Sequence, residues 1–239
     1  MKITIITINY NNLYGLIKTI ESVFSQIFTD YQFFIIDGGS NDGSKEYIEA
    51  HSNNIDYWVS EKDNGVYHAM NKGLAKATGE YCIFLNSGDY LANNMVLENL
   101  FDLVDFDSSI IYGTLNWENS NDYWVPKKDL KIFEFIFHTP FSHQATIYRT
   151  KDLKSIGGYK ENYLVISDWI TMIKFYELRK INQKVELLIS IGEKQGISLN
   201  FKNRIFKERM HYLLKYSKYN LILGVLFLVK KKCFGFFRR

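Results

Sequence analysis

Residues 81–91 read YCIFLNSGDYL. The run from Tyr81 to Leu85 is apolar without alternation, the pattern of a strand covered on both faces. It breaks at Asn86, Ser87, Gly88 and Asp89 and then turns apolar again. A buried strand ending in a glycine-loosened turn delivers one carboxylate to its tip.

Working backwards, GVYHAMNKGLAKAT (65–78) places Val66, Met70, Gly73, Leu74 and Ala77 along one helix side, with Gly79 as its stop. Tyr57 to Ser60 reads as a short strand and Lys45 to Ala50 as a helix. Phe33 to Ile36 is a strand that ends in DGGSNDGS, whose glycines and small polar residues mark a loop. Leu13, Leu16, Ile17, Ile20, Val23, Phe24 and Ile27 recur at helical spacing behind a cap at Asn11 or Asn12. Ile3, Ile5, Ile6 and Ile8 form the first β-branched strand. This alternation predicts right-handed βαβ crossovers and an α/β fold, a Rossmann-like, open, mainly parallel sheet flanked by helices. Ligands of such sheets bind beyond the carboxyl ends of the strands, where the strand order reverses. DGGSNDGS and NSGD both follow strands and both belong on that edge.

The second half is less regular. Ile110 to Trp117 and Asp122 to Val125 read as a hairpin, Phe141 to Tyr148 as a strand and Asp168 to Arg179 as a helix. No repeat or low-complexity linker interrupts the chain, and its two prolines mark no boundary before about residue 200. The domain reading is therefore 1–200, followed by a helical, basic and apolar C-terminal extension over 201–239.

The chain has 239 residues, of which 46% are hydrophobic and 16% aromatic, enough for a substantial core. Its net charge of +3, from 29 basic and 26 acidic residues, leaves no global field for nucleic acid. Cys82 and Cys233 show no metal-ligand spacing, which points to a reduced, cytosolic compartment. MKITIITINYNN reads as a first strand, not a leader peptide, and no run reaches the ~20 apolar residues of a spanning helix.

Three aspartates and a histidine carry candidate chemistry. Asp37, before two glycines, accepts hydrogen bonds from a ligand or closes a side-chain turn. Asp89, beside Ser87, holds a hard divalent cation shared with a diphosphate or caps the helical segment 93–103. Asp168 in VISDWITM is a general base for an attacking hydroxyl or a helix cap. His143 in FSHQATIYR contacts a phosphate or satisfies neighbouring backbone.

Taken in order, ITIITINYNN, FFIIDGGSNDGS, SEKDNGVYHAMNKGLAKATGEYCIFLNSGDYL, HQATIYR and SDW resemble the family 2 glycosyltransferases of the GT-A fold. The likeness is strongest to bacterial members that build capsule, lipopolysaccharide and exopolysaccharide, and it covers roughly residues 1 to 190. It implies that Thr7, Asn9 and Tyr10 line the nucleotide pocket and that Asp37 binds the base, normally uracil. It further implies that Asp63, Asn71 and Lys72 surround the ribose and diphosphate, with Ser87 and Gly88 beside the donor. Asp89 becomes the ligand of a divalent cation, Mn²⁺ or Mg²⁺, Asp168 the catalytic base, and His143 part of a segment closing over the donor. Ser87 replaces the first carboxylate of a DxD motif, and His68 stands where many relatives carry an acid.

The implied reaction is an inverting transfer from a nucleoside-diphosphate sugar, most simply a UDP-sugar, to a saccharide or lipid-linked acceptor. Two rivals stand beside it. A sugar nucleotidyltransferase usually shows a glycine-rich, basic phosphate loop near its first strand, which ITINYNN lacks; a non-catalytic nucleotide-sugar-binding scaffold would tolerate Ser87. The tail adds location: the apolar run 221–229, followed by KKKCFGFFRR, suits an interfacial anchor on the inner face of the cell membrane. Alternatively, that segment packs on the domain or on a second copy, giving a homodimer.

Overall fold

β1 (Ile3–Asn9) has all seven residues buried. It sits between β2 (Tyr31–Asp37) and β4 (Tyr81–Phe84), both parallel to it, while β3 (Tyr57–Ser60) adds parallel to β2. Helices α1 (Leu13–Phe24), α2 (Ser44–Ala50) and α3 (Val66–Lys76) make the crossovers. The chain thus steps outward from β1 to β3 and returns to the far side of β1 for β4, so the strand order reverses between β1 and β4. The computed structural model describes residues 1–127, 139–178, 182–193 and 201–216.

The unbroken apolar strands follow from two apolar layers. Ile3, Ile5, Phe33, Ile35, Tyr81 and Ile83 cluster with Leu16, Ile20 and Val23 of α1. Their neighbours Ile6, Ile8, Phe34, Ile36 and Phe84 cluster with Met70 and Leu74 of α3. Each buried Leu, Ile or Phe contributes ~1.5–3 kcal/mol relative to exposure. Gly73 lets α3 settle on β1, since a Cβ there would come within 2.5 Å of Ile6 Cγ2.

Beyond β4 the sheet continues with mixed directions. β5 (Tyr90–Leu91) and α4 (Val96–Leu103) precede the expected hairpin of β6 (Ile110–Trp117) and β7 (Tyr123–Trp124). β8 (Thr146–Arg149) runs antiparallel between β4 and β6, and β9 (Asn182–Gly192) lies parallel to β6. Helices α5 (Thr150–Ser155) and α6 (Ser167–Glu177) follow β8, and α7 (Lys202–Lys215) closes the described chain. α7 begins the expected helical extension and seats Tyr212 and Leu213 in the same buried cluster as Trp169 and Ile173 of α6.

Among the element boundaries that differ from the sequence reading, two have a visible cause. α1 stops at Phe24, leaving Ile27 half exposed, because Gln26 bonds the carbonyl of Asn93 and the amide of Leu97, turning the chain towards α4. The strand expected from Phe141 begins at Thr146 instead. A 3-10 turn, His143–Ala145, precedes it, closed by Thr146 Oγ1 donating to Ser142 O. Among the described residues no helix is long and apolar enough to cross a membrane. The run 221–229 and the basic tail lie outside the described residues.

Candidate active site

The carboxyl ends of β1, β2 and β4 meet at the strand-order reversal, and hydrogen bonds tie them together. Asp37 is wholly buried at the end of β2 and pairs in register with Asn9 and with Ser60. Its carboxylate accepts from Asn9 Nδ2 (2.7 Å), Ser40 Oγ (2.5 Å), Ser60 Oγ (2.6 Å) and the amides of Gly39 and Ser40 (3.1 and 2.9 Å). Burial pushes this carboxyl up, but the bonds from Ser40, Ser60 and Asn9 outweigh it and hold it below its ordinary value. Asp37 therefore knots strand ends and loop, with its oxygens spent inside the protein.

The exposed surface beside that knot is built by its neighbours. Tyr10 is 68% exposed, and a Cβ on Gly38 would lie 3.1 Å from the Tyr10 ring and 3.4 Å from Asp63 Oδ2. Gly38 is thus closely packed against the Tyr10 ring and the Asp63 carboxylate, with little room for a side chain. Asp63 is held by Lys72 Nζ (2.6 Å) and His68 Nδ1 (3.2 Å), and Lys72 also reaches Glu61 at 2.7 Å. Two expected residues lie elsewhere in the local network. Thr7 is fully buried, and Asn71 spends its amide on Tyr159 O, Tyr159 N–H and Glu161.

At the tip of β4, Ser87 Oγ donates to Asn9 Oδ1 (2.7 Å) and Ile8 O (3.1 Å). Gly88 takes φ +101°, a conformation other residues rarely adopt. Asp89 does not cap α4, which starts after Met95 without a side-chain cap. It is instead 6% exposed, with neutral partners: the Gln144 side chain and the amides of Glu193 and Asn86. Burial, with the Glu193 charge adding to it, pushes the Asp89 carboxyl up to about 7.

His143 and Asp168 complete the rim. His143 Nε2 lies 3.3 Å from Asn86 Nδ2, and its Nδ1 lies 3.8 Å from Asp168 Oδ2. The amide nitrogen can only donate, which assigns the ring proton to Nδ1, facing Asp168. Burial pushes this imidazole down, with Asp168 opposing, so it is neutral at neutral pH. Asp168, in the first turn of α6, accepts from Tyr67 Oη at 3.2 Å. A continuous sequence of contacts therefore runs from Asp37 through Asn9, Ser87, Asn86 and His143 to Asp168, with Asp89 joined through Gln144.

Glu193, Asn86, Gln144 and Tyr67 are neighbours that motif reading did not single out. Glu193 lies past the end of β9, close to Gly88, and is 3.9 Å from Lys18, which pairs with Glu118 at 2.6 Å. No local pattern in the second half marked it. Among the described residues no group of three or more His, Cys, Asp or Glu could hold a metal ion by itself. The oxygens present nevertheless suit a hard divalent cation: among the described residues Asn86 Oδ1 is buried without a partner, and the groups bonded to the Asp89 carboxylate are neutral.

A family model described as Glycosyl transferase family 2 matches residues 4–172. A PGL/p-HBAD biosynthesis glycosyltransferase of Mycobacterium bovis is 27% identical over 198 residues, covering 80% of this chain and 77% of that one. An uncharacterized glycosyltransferase of Mycobacterium tuberculosis is 41% identical over 179 residues, covering 70% and 65%. Among solved structures, S. aureus TarS 1–349 in complex with UDP-GlcNAc superposes with TM-score 0.71 at 18% identity, covering 95% of this chain and 72% of that one. A mannosyltransferase from Pyrobaculum calidifontis in complex with GDP-Man and Mn²⁺ gives TM-score 0.66 at 18% identity, covering 93% and 68%.

Proposed function

Because the chain belongs to glycosyl transferase family 2 and has the GT-A fold, we propose that it transfers a sugar from a nucleoside-diphosphate donor to a hydroxyl with inversion. The donor is most simply a UDP-sugar, and the acceptor is a saccharide or lipid-linked saccharide of bacterial surface polysaccharide. The observation that supports this reading is the contact sequence along one rim, which links Asp168 to the turn at the tip of β4 through His143 and Asn86.

Each residue then has a physical task. Tyr10 and Asp63 flank the bare Gly38 and receive the nucleoside, and Lys72, anchored on Asp63, faces the phosphates. Asp37, Thr7 and Asn71 act through the loops and strands they brace. Asp89, with Asn86, would hold a divalent cation, which supplies charge stabilisation to the leaving diphosphate. Asp168 accepts the acceptor's proton as the hydroxyl attacks, and a neutral His143 beside it preserves its capacity to do so. A single displacement with a base opposite the leaving group inverts the anomeric centre.

The extension 201–239 is proposed to reach the inner face of the membrane through its basic end. The decisive experiment measures nucleotide release from UDP- and GDP-sugars with Mn²⁺ present. Asp168→Asn should lower turnover by about 10²–10⁴-fold while calorimetry finds UDP binding intact. Asp89→Ala should lose the Mn²⁺-dependent part of that binding. Full turnover in Asp168→Asn removes the assigned base.

A further inference from the structure

The C-terminal helix α7 makes two attachments to the segment that carries Asp168. Glu208 accepts the amides of Leu164 (3.1 Å) and Val165 (3.2 Å), just before α6, and is itself steadied by Arg204 Nε at 2.8 Å. Arg209, the next residue, stands with its guanidinium carbon 4.8 Å from the ring centre of Trp169, the neighbour of Asp168. Its Nη2 donates to Thr139 Oγ1 at 2.8 Å, on the segment leading to His143, and its buried Nε has no hydrogen-bond partner. A guanidinium so enclosed is costly unless an anion answers it, and the carboxylate of Asp168 is the charge that attracts it.

We propose that Arg209 is a positioning residue for Asp168: its guanidinium, stacked on Trp169 and bonded to Thr139, locks the start of α6 against the segment that leads to His143, making α7 part of the catalytic apparatus. The inference rests on reading Asp168 as the base. Among the described residues, the titratable groups that face Asp168 other than Arg209 are uncharged at neutral pH. His143, from the 3-10 turn before β8, is held neutral by burial. Tyr67 of α3, Tyr148 of β8 and Tyr159 of the loop before α6 all have hydroxyls pushed well above 10, chiefly by burial. Arg209 therefore supplies the positive charge. Burial pulls its guanidinium down to about 10 while Asp168 raises it, so it stays charged throughout the working range.

The test uses the full chain and follows nucleotide release with the best donor from the UDP- and GDP-sugar panel. Arg209→Gln should lower kcat about 10- to 100-fold and leave donor KM within about threefold. Arg209→Lys, which keeps a cation over the Trp169 ring, should recover most of the lost kcat. If Arg209→Gln does not fold by circular dichroism, Arg209→Met carries the same test, since an apolar chain of similar length removes the buried charge without stranding a polar group. A folded Gln or Met variant with unchanged kcat, or one changed only in KM, overturns the inference. An active Asp168→Asn would instead remove the base reading underneath it.

Discussion

Asp37 and Asp89 end neighbouring stretches of one sheet edge, yet their surroundings drive their carboxyls in opposite directions. Five donors surround Asp37 and hold its proton affinity low, whereas Asp89 is buried near Glu193 and pushed up to about 7. For Asp37 the consequence is one of stability. A carboxyl depressed in the folded state stabilises it fully above its ordinary range and loses that contribution as pH falls through the folded value. Asp37→Asn should therefore cost about 1.5–3 kcal/mol in urea unfolding at pH 7, and the gap to the wild type should narrow below about pH 4. An equal gap at both pH values would show that the charge is not what matters. At this scale the sequence singled out the carboxylates correctly as strand-end residues but left their partners open. Asx-type turns and ligand contacts use the same residues, and only the positions of Ser40 and Ser60 show where the Asp37 oxygens point.

Elements in the first half followed directly from pattern. Unbroken apolar runs became strands covered on both faces, and the glycine at 73 marked the close seat of α3 on β1. The second half was less legible, because its strands are short, irregular or half covered. β8 shrank to Thr146–Arg149 once the 3-10 turn at His143 took the residues before it, and that turn is what aims His143 at Asp168. α7 shows the same limit. Its helical character was readable, but nothing in KNRIFKERMHYLLK announced that Leu213 would be fully buried against α6. Leu213→Ala should accordingly cost ~2–5 kcal/mol of unfolding free energy, read from urea melts. A loss below ~0.5 kcal/mol, typical of surface changes, would mean that the helix is not seated there.

For the whole molecule, the seat of α7 separates two parts of the extension that composition had merged. Removing 217–239 should abolish sedimentation with anionic vesicles, since each basic residue near such a surface contributes ~1 kcal/mol. Removing 201–239 should also destabilise the fold, because Tyr212 and Leu213 leave the core with it. Undiminished vesicle binding after the shorter deletion would transfer the membrane role to another surface. By itself the amino-acid sequence determined the α/β class, the parallel direction of its opening strands and the strand-end positions of Asp37 and Asp89, because burial and strand periodicity are local and repeat along the chain. Tertiary structure alone decided which acids meet. It turned Asp37 inward, brought Glu193 beside Asp89, and set His143 and Arg209 around Asp168, because these contacts join residues tens of positions apart, whose spacing along the chain carries no periodic signal.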